Sequence, residues 1–293
     1  MDALTLEKVF GSDGAQFINL TGTLVEAIER EPPTYTYMAP DEFHSLIERD
    51  WKAGIKVYWE ELLGRAHLAA VASIIRAYRW SCGMAVYYSS DLFLPFCASF
   101  RALIESAADG YDALSNVAST LAEYREIVNQ TLQGKAEQPP LAMELEDQLI
   151  HFSHARKLSK GDASPVSHKA KQTADYVRSL EKADLPRLYE CYAQLCQYTH
   201  PAAHSVLELL VRVSPETFRL APGQDQVRIE AFSKEYNSLL VPLLMVAFNP
   251  GALLLKVLLY FDVPQFHSQG INLLDLRGIS GWVTYAKKMG VEP

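Results

Sequence analysis

Strand-like alternation of polar and apolar residues is nearly missing from this 293-residue chain, and no sheet is needed to account for it. The motifs G-x-x-x-x-G-K-[ST], G-x-G-x-x-G after a strand, H-E-x-x-H and G-x-S-x-G are missing too. Nucleotide-dependent, zinc-protease and nucleophile-elbow hydrolase readings therefore lack support. No Glu-x-x-His pair occurs, which removes the ligand set of a di-iron bundle. The four cysteines, Cys82, Cys97, Cys191 and Cys196, lack C-x-x-C spacing and lie among apolar residues. They read as small hydrophobes rather than as a metal or redox site. The N-terminus has no basic stretch leading into an apolar run, so no secretory signal is visible and a cytoplasmic location is expected.

Positive charge is the scarcer sign, with 27 Lys and Arg against 35 Asp and Glu and a formal net charge of −8. That balance favours solubility and argues against a broad nucleic-acid surface, while leaving room for a local basic groove. Apolar residues make up 49% and charged residues 21%, ordinary globular usage.

What is abundant is helical periodicity. Tyr111, Leu114, Val117, Leu121, Tyr124, Val128 and Leu132 follow steps of three and four and line one helix face. The spacing recurs at Leu145, Leu149 and Phe152, and at Leu188, Tyr192 and Leu195. These patterns predict an all-α chain, a single multi-helix bundle-like domain over residues 41–293 with an N-terminal helical arm over 1–40. A subdomain break is predicted, if anywhere, at 133–167, where polar Gly- and Pro-containing stretches flank one helix.

In more detail, the N-terminal helix breaks near Gly11–Gly14. The next runs from Pro40-Asp41 to about Gly64, and a very apolar one covers His67–Tyr88. A long helix follows Ser89–Asp91 and extends to Leu132. Pro201–Val213 is predicted helical and Val213–Val227 a loop. From Ser238 to Phe261 the chain is almost continuously apolar, but Asn249-Pro250-Gly251 reads as a turn and Lys256 interrupts the second half. Two buried helices joined by that turn are expected, and no integral membrane span.

Three constellations are candidates for chemistry. Arg101 and Glu105 stand four apart in an apolar helix, so they share a face and can pair. They form either a structural ion pair that fixes helix register or an arginine aimed into an anion-binding pocket. His200 precedes Pro201, which biases it out of the α region, and His204 follows four residues later. A histidine at the mouth of a following helix suits catalysis or phosphate binding, and equally suits a cap. His151 and His154 with Asp147 have the residue types for a metal, but their helix lies between polar linkers and reads as a solvated face. Tyrosines cluster at Tyr78, Tyr87 and Tyr88 and at Tyr189, Tyr192 and Tyr198; Tyr192 and Tyr198 are the candidates for lining a pocket. No metal or cofactor is expected.

The segment Phe100-Arg101-Ala-Leu-Ile-Glu105, followed later by Tyr192-x-x-Leu-Cys-x-Tyr198-Thr-His200-Pro201, resembles an uncharacterised all-helical bacterial family. In that family an Arg-x-x-x-Glu helix precedes a Ser/Tyr-x-x-His-Pro helix. The resemblance covers roughly residues 95–205. It is distantly similar to HEPN-type domains, many of them metal-independent RNases of defence or toxin systems. Their hallmark is an arginine, four to six residues, then a histidine; no arginine stands at that distance before His200 or His204, and Arg101 from another helix is the available substitute. The resemblance implies a site of Arg101, Glu105, His200 and His204 acting on RNA or another phosphate-bearing ligand. The alternative is a non-enzymatic module for protein interaction or homo-oligomerisation.

Overall fold

The computed structural model describes residues 3–161, 163–201, 203–221 and 223–292. Asp162, Ala202 and Pro222, inside the linker, helix and loop read from the sequence, lie outside these, as do Met1, Asp2 and Pro293. The chain is all-α. Its helices are α1 (Ala3–Arg30), α2 (Pro40–Arg49), α3 (Trp51–Ser89), α4 (Phe93–Leu114), α5 (Val117–Leu132), α6 (Met143–His154), α7 (Thr173–Glu181), α8 (Leu188–Thr199), α9 (Ala203–Leu207), α10 (Asp225–Glu235), α11 (Asn237–Leu258) and α12 (Ser280–Met289). Between α9 and α10 lies one antiparallel hairpin, β1 (Leu210–Ser214) and β2 (Thr217–Leu220).

The residues group into two compact units. The first comprises Met1–Gly22, Ile75–Asp112 and Lys171–Phe248; the second comprises Thr23–Ile74, Ala113–Ala170 and Asn249–Pro293. Segment 1–40 thus contributes to both, and 133–167 belongs to the second.

Several boundaries differ from the sequence reading, each for a physical reason. The kink in α1 is where expected, at Gly11, whose φ of 71° is costly for any residue with a Cβ. The helix read from Pro40 to Gly64 is instead two. Asp50 leaves the helical region at φ −150° and its carboxylate accepts the N–H groups of Lys52 and Ala53, so it ends α2 and caps α3. Gly64 does not interrupt α3. A Cβ there would lie 2.9 Å from the Phe266 ring, so this glycine makes room for a packed aromatic. The helix expected to run to Leu132 breaks at Ser115-Asn116 into α4 and α5.

The expected turn at Asn249-Pro250-Gly251 is not formed; α11 runs through it unbroken. Proline in a helix interior costs about 3 kcal/mol. Leu254, Leu255, Val257 and Leu258 beyond it are wholly buried, and each such burial contributes about 1.5–3 kcal/mol. Gly251 serves close approach to α3 rather than a turn, since its Cβ would meet Ile74 at 2.9 Å and the Ala70 carbonyl at 3.0 Å. By length and composition α11 is able to cross a membrane, but 61% of its apolar window is buried inside the protein.

The hairpin corrects the helix read over Pro201–Val213 and the loop after it. Among the described residues of that stretch, Ala203–Leu207 is the helical part. β1 and β2 pair Leu210 with Leu220, Val211 with Arg219 and Arg212 with Phe218, with an irregularity between Arg212 and Ser214. Its strands are almost entirely exposed, Val213, Phe218 and Leu220 included.

Candidate functional site

Two helices of the first unit build the Arg101 cluster. α4 begins where the Asp225 carboxylate accepts the Phe93 N–H at 3.0 Å, replacing a missing local cap. Phe96, Phe100, Leu103 and Ala107 on its buried stripe fix its rotation, and Arg101 and Glu105 emerge beside that stripe about a quarter exposed. α8 starts after Arg187, held at φ 68°, and buries Leu188, Cys191, Tyr192 and Leu195. It ends at His200, extended at φ −94° and ψ 159°, as the following proline requires.

Arg101 is the hub. Its Nε donates to Glu105 Oε1 at 2.8 Å, and its Nη1 donates to Thr199 Oγ1 at 3.0 Å and lies 3.1 Å from His200 Nε2. A guanidinium has no acceptor atom, so in this arrangement His200 Nε2 is the acceptor. Tyr192 donates its hydroxyl to Glu105 Oε1 at 3.3 Å, and its ring lies 5.9 Å from the Arg101 guanidinium. Thr199 is held in turn by donating to the Leu195 carbonyl at 2.8 Å. Among the described residues Arg101 Nη2 has no hydrogen-bond partner, and it is not sealed from solvent.

Burial acts to lower the Arg101 pKa, but the Glu105 charge and hydrogen bond outweigh it and hold the guanidinium above its ordinary value. Burial first, and then Cys196, keep the Tyr192 hydroxyl protonated well above the usual phenol range. The cluster is therefore one permanent cation, one carboxylate, one neutral phenol and one exposed imidazole.

The structure places the other candidates elsewhere. Tyr198 points away: its hydroxyl accepts from Gln194 at 3.3 Å and its ring packs edge-on against Phe93 at 5.0 Å and Phe232 at 6.0 Å. His204 lies on α9, exposed, with its ring edge-on to Tyr198 at 6.3 Å. His200 sits at the C-terminal end of α8, not at the mouth of a long following helix. Helix C-termini favour cations, which suits the Arg101 guanidinium beside it. Thr199, whose place before His200-Pro201 suggests a cap, belongs to the cluster as well; it lies seven residues after Tyr192 and so on the same helix face.

His151 Nδ1 donates to the Ser167 carbonyl at 2.7 Å, and His154 stacks on His168 with ring centres 5.3 Å apart. Among the described residues no three His, Cys, Asp or Glu side chains converge to hold a metal. Burial pushes the thiols of Cys97 and Cys191 well up, as befits packing residues.

No protein-family model, curated protein or solved structure matches the chain.

Proposed function

We propose that the Arg101–Glu105–His200 cluster binds the phosphodiester of an RNA and promotes its cleavage in the cytoplasm without a metal ion, in the manner of HEPN-type ribonucleases. The observation that carries this reading is Arg101 Nη1 lying 3.1 Å from an exposed His200 Nε2 while Nη2 stays open to an incoming anion. Two helices supply the arginine–histidine pair that HEPN-type domains carry on one. A phosphate entering at Nη2 competes for the Nη1 donors and frees the Nε2 lone pair. That nitrogen takes the 2′-hydroxyl proton as the oxygen attacks phosphorus. Arg101 offsets charge on the phosphorane, and the departing 5′-oxygen regains a proton from the imidazolium. Glu105, braced by Tyr192, holds the guanidinium in register.

The test is degradation of a mixed RNA by purified protein with and without EDTA, beside Arg101→Ala and His200→Ala. Cleavage is expected to survive EDTA and to fall by about 10²–10³-fold in each variant. Activity unchanged in both variants removes the reading.

A second reading, a protein-interaction or homo-oligomerisation module, is favoured by the hairpin. Val213, Phe218 and Leu220 are more than half exposed on a two-stranded ribbon, and such ribbons are marginal alone in water. Light scattering across a concentration series tests it: a monomer throughout rules out self-association.

A further inference from the structure

A serine–histidine–tyrosine relay lies in the second unit, encoded by no local motif. Its scaffold is α3. Gly64 leaves room for the Phe266 ring, and Phe266 anchors the short turn Pro264–Phe266 that delivers His267 and Ser268. One residue short of a turn further along α3, His67 is 2% exposed. Its Nε2 lies 2.8 Å from Ser268 Oγ and its Nδ1 lies 2.8 Å from Tyr35 Oη. Phe266 faces both rings, 5.6 Å from His67 and nearly parallel to Tyr35 at 6.0 Å, so the imidazole is fixed in position.

Ser268 opens onto a cavity of about 350 Å³. His67, His267, Arg30 and Glu31 line it with Ser268, and Ala27, Ile28 and Pro33 add apolar wall. The size is that of a small-molecule site. Nucleophile, base and orienting group at hydrogen-bond distance in sequence, beside a cavity, is the arrangement of covalent acyl transfer.

We propose that Ser268 is a nucleophile activated by His67, with Tyr35 as a positioning residue, and that the cavity takes a small carboxylic ester. With Nδ1–H donating to Tyr35 Oη, Nε2 accepts the Ser268 hydroxyl proton. Ser268 Oγ bonds to the acyl carbon, the ester C–O bond breaks, and the proton on His67 Nε2 passes to the departing alkoxide to give the alcohol. Water then attacks the acyl-serine, giving its proton to Nε2. That proton returns to Ser268 Oγ as the carboxylic acid leaves. The balance is ester plus water to acid plus alcohol, with no other reactant. Arg30 is the guanidinium lining the cavity and suits the charge that develops on the acyl oxygen.

The ionisation of His67 supports this geometry. Burial first, and His267 second, bring it down to about 4, so the imidazole is neutral at pH 7 and its lone pair is available. The titratable groups around it are Tyr35 before α2, His267 after α11, and Arg30 and Glu31 on the cavity wall. His267 is itself tied through Nε2 to the Phe261 carbonyl at 2.9 Å.

The experiment treats the full chain with a fluorophosphonate at pH 7 and maps the adduct by mass spectrometry, with p-nitrophenyl acetate hydrolysis followed in parallel. One phosphonyl adduct is expected, on Ser268, with fluoride released. Ser268→Ala should abolish it and slow hydrolysis at least about a hundredfold, while RNA cleavage is unaffected. Because His67 is buried, its Gln variant is compared only after circular dichroism shows it folded; Ser268 is half-buried and its Ala variant decides by itself. Labelling of the wild type should hold its rate from pH 7 down to about pH 5. Tyr35→Phe keeps the ring and should lower kcat about tenfold with KM unchanged. A folded wild type unlabelled at Ser268, a rate that halves near pH 6.5, or hydrolysis that survives Ser268→Ala overturns the proposal; KM rising with kcat in Tyr35→Phe overturns the positioning role.

Discussion

His200 and His67 show how differently one side chain is used in the two units. His200 is exposed, and its Nε2 accepts from a guanidinium that never loses its charge. His67 is almost wholly buried, and both its nitrogens meet neutral hydroxyls at 2.8 Å. Neutral partners suit a buried imidazole, because a charged one there would carry a desolvation cost that a hydroxyl does not repay. An exposed imidazole tolerates a charged neighbour, since water shares the field. Burial therefore makes His67 the histidine on which the fold depends more.

Replacing both sharpens the contrast most. His67→Ala empties a packed site and leaves Tyr35 and Ser268 without their shared partner, an expected loss of about 3–4 kcal/mol in urea unfolding. His200→Ala should stay within about 0.5 kcal/mol of the wild type. Equal losses would break the comparison.

Acid supplies the next largest effect. The folded-state pKa of His67, about 4, lies below the ordinary 6.5, so between those values the unfolded chain binds more protons and stability falls as pH falls. Its contribution is complete above pH 6.5. About 2 kcal/mol of it should be gone by pH 5. Comparing unfolding at pH 7 and pH 5 in wild type and in a folded His67→Gln variant isolates this histidine from other titrating groups. The same pH dependence in both would show that His67 is not its source.

The fold class was open to reading because steps of three and four recur along most of the chain; α8 falls where those steps put it, and the kink of α1 falls at the glycines that marked it. The discrepancies gather where local chemistry and tertiary burial disagree. Asn249-Pro250-Gly251 carries turn residues, yet the leucines beyond it bury more by continuing α11. Leu210–Ser214 and Thr217–Leu220 alternate as strands around a Pro-Glu pair, a signal overshadowed by the helix-starting look of His200-Pro201. Within the cluster, Arg101 and Glu105 were legible from their spacing of four. The approach of His200 across 99 positions was not, because no local pattern encodes which helices meet. For the same reason His67 and Ser268, 201 positions apart, give no sign of each other in the sequence.

The Arg101–Glu105 pair offers a smaller and finer test. The pair is about one quarter exposed, so screening limits its worth, and arginine before glutamate is the weaker order along a helix. Glu105→Gln keeps an acceptor for Nε and should cost about 1 kcal/mol or less. Arg101→Met should cost a similar amount, and the double variant less than the sum of the two. Additive losses would show that the two charges do not cooperate, and that His200 faces a guanidinium Glu105 does not hold.

The smallest expected effect falls on the hairpin. Phe218 is 55% exposed, so Phe218→Ser removes little buried surface and should shift the unfolding midpoint by less than about 0.5 kcal/mol at low protein concentration. The informative variable is concentration. If wild type and variant unfold alike when dilute but diverge as protein concentration rises, the hairpin is covered by a second copy, because only association makes stability depend on concentration. If they stay together throughout, β1 and β2 stand in solvent, and self-association through this ribbon is excluded.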